Sequence, residues 1–82
     1  MSEHKEFILI VNTREKKWDK ETISYKEAVI LAFGTFSDDE NVTYTIDYSR
    51  GPKKNPEGSL TKGESVEVKS GMIFNVTETR KS

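Results

Sequence analysis

The most constraining feature of this sequence is one short helix whose two ends are both marked. Ser24 and Glu27 form the S-x-x-E pattern of a capping box, in which each side chain accepts a hydrogen bond from an otherwise unpaired backbone N–H. Gly34 supplies the left-handed residue that commonly ends a helix. One face between these ends is apolar, at Tyr25, Ala28, Val29, Ala32 and Phe33. A helix of about ten residues is too short to be stable alone in water, so it must lie on a sheet.

Strand-like segments lie on both sides of this helix. Before it, the apolar run Phe7–Val11 predicts a strand that is covered on both faces or central in a sheet. Residues 12–15 then predict a turn, and residues 16–18 begin a more polar return strand at an edge. After the helix, residues 42–48 alternate strictly, which is typical of a half-buried strand. A short strand around residues 66–68 and a last strand over residues 72–77 follow.

The order hairpin, helix, strand, short strand, strand predicts an α+β domain. Its helix should pack on one face of a mixed sheet of four to five strands, and the β-grasp fold is the common compact solution for that order. We therefore expect a flexible N-terminus at residues 1–6, a β-grasp domain at residues 7–77 and a flexible C-terminal tail at residues 78–82.

Charge and composition exclude several classes of protein. Thirteen basic against fourteen acidic residues leave a formal net charge of −1 over 82 residues. We therefore expect no general affinity for nucleic acid or for an anionic membrane. The apolar run near the start is too short for a signal peptide or a membrane span, and the sequence has no cysteine for disulfides. These features predict a cytoplasmic protein, and we expect it to be a monomer.

No group of residues has the pattern of a catalytic or metal site. His4, the one histidine, lies in the N-terminal segment without a positioned partner, which fits a solvated side chain better than a catalytic base. Asp38, Asp39 and Glu40 are consecutive and lack the alternate spacing of a calcium loop, so a solvated loop is the simpler interpretation. We therefore predict no enzyme activity, no cofactor and no metal.

Two features are candidates for contact with a partner protein. Trp18 lies on the polar return strand, where it is either a core residue or an exposed anchor of the kind enriched at interfaces. Arg50, Lys53 and Lys54 form a small basic loop. They are either ordinary exposed turn residues or a docking patch for an acidic partner.

The C-terminus is a third candidate. Thr79, Arg80, Lys81 and Ser82 follow the predicted last strand. With Glu78 they are either a frayed chain end or an arm that reaches about 15–18 Å beyond the sheet.

Several stretches together resemble one known family. They are residues 23–34, residues 42–48, residues 50–52, residues 56–60 and, most specifically, residues 63–77. Over residues 7–82 the chain is similar to the prokaryotic ubiquitin-like family known as the multiubiquitin domain. The resemblance implies a ubiquitin-like modifier encoded beside E1-like, E2-like and JAB-type peptidase proteins, in operons associated with anti-phage defence.

By the same resemblance, the E1-like partner would adenylate the C-terminal carboxylate, and a carrier cysteine would take it as a thioester. On this chain the carboxylate is that of Ser82, with Thr79, Arg80 and Lys81 as the conjugation tail. The alternative is a non-covalent interaction module that uses an exposed sheet face or the loop at residues 50–54. A sulfur carrier is disfavoured, because those proteins end in a slim Gly-Gly arm and this sequence ends Arg-Lys-Ser.

Overall fold

The computed structural model describes residues 6–81, so His4 and Ser82 lie outside the described residues. The strands are β1 (Phe7–Val11), β2 (Arg14–Trp18), β3 (Thr22–Ser24), β4 (Val42–Ser49), β5 (Gly58–Leu60), β6 (Ser65–Glu67) and β7 (Ile73–Arg80), and the helix is α1 (Tyr25–Phe33). A five-stranded sheet has the order β2-β1-β7-β4-β5, while β3 pairs with β6. β1 and β7 are parallel and the other neighbours are antiparallel. The predicted α+β, β-grasp fold is confirmed.

No helix within residues 6–81 combines the length and the apolar character needed to cross a membrane.

Both predicted ends of the helix are confirmed. The backbone N–H of Ser24 donates to Glu27 Oε1 (3.0 Å) and that of Glu27 donates to Ser24 Oγ (3.2 Å), which completes the capping box. Gly34 is left-handed with φ 83°, and its N–H donates to Ile30 O at 2.7 Å. An N-cap of this kind stabilises a helix by about 1 kcal/mol.

The predicted buried face of the helix is only partly right. Its first two turns are buried against the sheet through Tyr25, Ala28 and Val29. Ala32, however, is half-buried and Phe33 is 44% exposed. Phe36, which follows the helix, packs its ring 5.4 Å from that of Tyr44, centroid to centroid. Because Phe36 covers this end of the core, Phe33 lies at the rim.

The turn between β1 and β2 is tighter than predicted. β2 begins at Arg14, which pairs with Val11, so the loop consists of Asn12 and Thr13 and not of residues 12–15. These two residues have φ 52° and 70°, as both central positions of a type I′ hairpin turn require. Asparagine tolerates the left-handed conformation, whereas the β-branched Thr13 is strained in that conformation.

The core lies between the helix and one face of the sheet. β4 alternates as predicted, with buried Tyr44, Ile46 and Tyr48. The largest fully buried side chains come from five parts of the chain: Phe74, Leu9, Ile23, Ile46, Met72, Val11 and Val29. β1 lies between β2 and β7, as expected of a central strand. Within residues 6–81, no buried side-chain polar atom lacks a hydrogen-bond partner, so the packing leaves no polar group stranded in the interior.

The last strand is longer than predicted. The sequence pattern ends it at Thr77, but β7 continues to Arg80, which pairs with Val42. Beyond it, the N–H of Lys81 donates to Asn41 O at 2.8 Å. The predicted strand end is wrong because β4 begins early enough to pair with residues 78–80. Those residues are polar on both faces, so no apolar alternation marks them as a strand.

Candidate functional site

The predicted conjugation tail continues from a part of the sheet that only β4 supports. β1 pairs with β7 only at Ile73 and Phe74. Beyond them, the Asn12 side chain takes the place of a strand: Nδ2 donates to Val76 O (3.1 Å) and Oδ1 accepts from the Val76 N–H (2.8 Å). After Val76, residues 77–80 of β7 pair with residues 42–45 of β4 alone, and we call this two-stranded segment the C-terminal ribbon.

The edge that β7 forms on the C-terminal ribbon is open. The backbone groups of Phe74 and Val76 point away from β4, toward Asn12, so those of Glu78 and Arg80 point the same way. Within residues 6–81, no strand lies beside them on that side. Unpaired N–H and C=O groups at a strand edge are ready to pair with another strand.

The side chains of this segment are also accessible. Thr79, Arg80 and Lys81 are exposed, and Arg80 Nε donates to Glu78 Oε1 at 3.2 Å. The side chains of β7 that belong to the core end at Val76. The predicted tail residues therefore lie together in the structure, apart from Ser82, which is outside the described residues.

The predicted basic loop is a closed turn. Arg50 has φ 58°, and the N–H of buried Gly51 donates to Pro56 O at 2.8 Å. Arg50, Lys53 and Lys54 are all exposed. The loop follows the end of β4 opposite to the C-terminal ribbon. The eight residues of β4 place it about 24 Å from the predicted tail.

Trp18 lies at the β2 edge of the sheet, away from the basic loop. It is the last residue of β2, its half-buried ring packs against the core, and its indole N–H donates to Thr22 O at 2.9 Å. Two strands, β1 and β7, separate β2 from β4, which places Trp18 about 14 Å from the strand that carries the basic loop. The predicted residues therefore form three separate surfaces and not one site.

Trp18 belongs to a larger surface, the rest of which was missed by the sequence reasoning. Within residues 6–81, the large hydrophobic side chains that remain exposed are Ile30 (42%) and Phe33 (44%). They belong to a groove of about 500 Å³ between β2 and α1, whose lining includes Lys16, Trp18, Glu27, Ile30, Leu31 and Phe33. We call it the β2–α1 groove. Residues 28–33 are apolar at all positions, and a helix with one face on a sheet leaves some of them exposed. That run was the available signal.

One ion pair neutralises Glu27, the acidic residue of the β2–α1 groove, and leaves the lysines of β2 unpaired among the described residues. Lys20 Nζ lies 2.8 Å from Glu27 Oε2. Partial burial raises the pKa of the Glu27 carboxyl, but hydrogen bonds from Lys20 and from the Ser24 backbone outweigh it and hold that pKa below its ordinary value. Within residues 6–81 the other ion pair is Arg80–Glu78, so Lys16 and Lys17 have no acidic partner there. The rim along β2 is therefore basic.

Comparison with known protein families identifies the family of this chain. A family model described as multiubiquitin matches residues 7–80. The chain belongs to the multiubiquitin family. The resemblance identified from the sequence is thereby confirmed. Comparison with curated proteins and with solved structures gives no significant match.

The multiubiquitin match runs from the first residue of β1 to the last residue of β7. It therefore includes the C-terminal ribbon, the basic loop and the β2–α1 groove, whereas Lys81 and Ser82 follow it. The multiubiquitin domain has a ubiquitin-like fold that carries these surfaces on a packed core.

Proposed function

We propose that this multiubiquitin domain is a bacterial ubiquitin-like protein modifier. Its C-terminal carboxylate, that of Ser82 in this sequence, would be activated by an E1-like partner and passed to an E2-like carrier. A JAB-type peptidase would cleave the bond that results. In this proposal the domain acts in the cytoplasm as a monomer and contributes no catalytic group of its own.

The observation that carries this proposal is the position of the C-terminal ribbon. Thr79, Arg80 and Lys81 are exposed, they lie beyond the last core residue of β7, and β4 is their one neighbouring strand. A partner that draws these residues away from β4 breaks exposed backbone hydrogen bonds and leaves the core intact. Each such bond contributes only about 1 kcal/mol net, because water replaces it.

The proposed chemistry takes place on the carboxylate. A carboxylate oxygen attacks the α-phosphate of ATP, forming an acyl adenylate and releasing pyrophosphate. A cysteine thiolate of the partner then attacks the acyl carbon, forming a thioester and releasing AMP. Passage to the E2-like cysteine exchanges one thioester for another. The domain supplies the carboxylate and a docking surface, and the partners supply the nucleophiles.

The length of the strand limits this reaction. While Arg80 pairs with Val42 and the Lys81 N–H bonds to Asn41 O, residues 79–81 stay on the sheet, so the free arm of about 15–18 Å expected from the sequence pattern is not formed. Entry into an enclosed active site therefore requires residues 79–81 to separate from β4. The open edge of the ribbon gives a partner strand direct access to that segment.

The test is intact mass spectrometry of the chain incubated with its E1-like protein and ATP. We expect an adduct whose mass equals both chains minus one water, and its loss when residues 79–82 are deleted. The double variant Lys62→Glu/Lys69→Glu changes two exposed charges outside the C-terminal ribbon, the basic loop and the β2–α1 groove and should leave the adduct unchanged. An adduct that survives the deletion would refute activation at the C-terminus, as would the absence of any adduct with an E1-like protein that consumes ATP.

A non-covalent interaction module is the second candidate function. The exposure of Ile30 and Phe33 in one groove favours it, because adjacent exposed apolar side chains are a feature of protein interaction surfaces. If the basic loop is the docking surface, charge reversal at Lys53 and Lys54 should weaken binding and deletion of the tail should not. Intact binding after that reversal would remove the loop from consideration.

A further inference from the structure

We propose that the β2–α1 groove binds an extended segment of a partner protein, which joins the sheet as an added strand beside β2. The segment carries large aliphatic residues at alternate positions and acidic residues on either side of them. This inference goes beyond the conjugation proposed above and does not involve the C-terminal tail.

The backbone of β2 supports the added strand. β2 is at an edge of the sheet and pairs with β1 alone, with Arg14 opposite Val11. On β1, the N–H of Ile10 and the C=O of Ile8 bond toward β7, so the odd-numbered residues of β1 bond toward β2. Arg14, Lys16 and Trp18 are the residues opposite them.

Alternation then directs the N–H and C=O groups of Glu15 and Lys17 outward. Within residues 6–81, no strand covers them. Two N–H and two C=O groups, about 7 Å apart along the strand, form the pattern that a partner strand bonds in β-augmentation.

Side chains of β2 and α1 form the surface that would contact the added strand. Lys16 and Trp18 share a sheet face with Leu9, since Lys16 pairs with Leu9 and strand side chains alternate. That face lies toward α1, where Ile30 and Phe33 remain exposed. Every second side chain of a strand beside β2 would therefore point into the groove. Its volume of about 500 Å³ accommodates more than one aliphatic side chain.

Charge selects the kind of segment. β2 carries Arg14, Lys16 and Lys17 against the single acid Glu15. The acid that lines the groove, Glu27, is neutralised by Lys20 at 2.8 Å. A segment with acidic residues beside its aliphatic ones complements this rim, and complementary charge both speeds association and rejects other partners.

The same charges disfavour a second copy of this chain as the occupant. Two β2 strands placed edge to edge would bring their basic side chains together, and lysines at strand edges oppose such pairing. The C-terminal ribbon of another copy offers residues 77–80, Thr-Glu-Thr-Arg, which contain no aliphatic side chain for the groove. A segment of a different protein fits better on both counts.

The probe is a capped synthetic peptide, Asp-Glu-Ile-Thr-Ile-Thr-Ile-Asp-Glu, which has aliphatic residues at alternate positions, titrated into the full chain. Binding is followed by the fluorescence of Trp18, the single tryptophan of the sequence, which lines the groove. Amide hydrogen exchange by NMR reports the backbone. We expect a saturable fluorescence change and at least about tenfold slower exchange of the Glu15 and Lys17 amides, because ladder hydrogen bonds protect them.

Matched variants separate the apolar and the electrostatic contributions to peptide binding. Ile30→Gln removes an exposed aliphatic contact without emptying the core and should weaken binding about tenfold. Lys16→Glu/Lys17→Glu should weaken it by a similar factor, and so should high salt. Lys62→Glu/Lys69→Glu makes the same change of charge at two exposed positions outside β2, α1 and the basic loop and should have no effect. Thermal unfolding of each variant checks that it is folded.

A second peptide tests the strand geometry on the unaltered protein. N-methylation of the alternate residues that face β2 removes their backbone donors and keeps every side chain, so binding should be lost. Equal binding of that peptide would overturn the added strand. The proposal also fails if the original peptide causes no saturable change, if its effects map to Ile8 and Ile10 on the opposite sheet face, or if Trp18 responds to chain concentration without peptide, which would indicate a second copy.

Discussion

The substitution Asn12→Gly isolates the contact that joins the β1–β2 turn to β7. Glycine accepts the φ of 52° without strain, so the change removes the side-chain amide without straining the turn backbone. Two hydrogen bonds to the Val76 backbone, of 2.8 and 3.1 Å, are lost. Val76 is 4% exposed, so water replaces them poorly. At about 1 kcal/mol for each bond, together with the entropic cost of glycine of about 0.5–1 kcal/mol, the free energy of unfolding should fall by about 2–3 kcal/mol.

Thr13→Gly is the matched control, since it makes the same kind of change at the next residue of the same turn. Thr13 is exposed, has φ 70°, and its hydroxyl bonds only to the adjacent Asn12 carbonyl among the described residues. Relief of the left-handed strain, about 1–2 kcal/mol, exceeds the entropic cost of glycine, about 0.5–1 kcal/mol. This variant should therefore be more stable than the wild type by about 0.5–1 kcal/mol.

Urea unfolding followed by Trp18 fluorescence measures both changes. With a slope of about 1 kcal/mol per molar urea, the midpoint should fall by about 2–3 M for Asn12→Gly and rise by about 0.5–1 M for Thr13→Gly. Opposite signs are the diagnostic result. If both variants shift in the same direction by similar amounts, the turn backbone governs stability and the Asn12–Val76 contact contributes nothing measurable.

Three further predictions concern the helix and the basic loop. Because the pKa of Glu27 is lowered, its charged form stabilises the fold above about pH 4.3, and this contribution is lost as pH falls through the folded-state value; the melting temperatures of wild type and Glu27→Gln should differ at pH 7 and converge in acid, below that folded-state value. Gly51→Ala would place Cβ 2.5 Å from Asn55 O, so calorimetry should show a loss of about 1–3 kcal/mol. In denaturant titrations, Val29→Ala should cost about 2 kcal/mol and Ile30→Gln less than about 0.5 kcal/mol, because Val29 is fully buried and Ile30 is 42% exposed.

The parts of the fold that were predictable are those with strong local signals. Ser24, Glu27 and Gly34 set the helix ends through hydrogen bonds between near neighbours, so their pattern needs no tertiary context. β4 was predictable because one of its faces is buried. β7 beyond Thr77 and β3 were missed for the opposite reason. Their pairing depends on which distant strand lies alongside, and neither has enough buried positions to show a period.

The candidate site was predictable residue by residue but not as an arrangement. Trp18, the basic loop and the tail were each identified, yet the sheet order separates them onto different surfaces. The β2–α1 groove combines residues from β2 with residues from α1, and neither segment reveals it alone. Ile30 illustrates the difficulty. An apolar residue in a short apolar helix looks like core until the position of the sheet shows which face is covered.

The type I′ turn explains how an open backbone edge of β7 persists beside the β1–β2 hairpin. Because β1 ends at Val11 and β2 begins at Arg14, the hairpin stops beside the first half of β7 and leaves the C-terminal ribbon uncovered. The Asn12 amide satisfies the Val76 backbone at the boundary, so the exposed edge begins only beyond the core. The outer edge of β2 and the open edge of β7 are therefore separate edges, and they lie at different positions along the strand direction. A strand added at the β2–α1 groove would not obstruct a partner acting on the tail, so one copy of the domain has room for both.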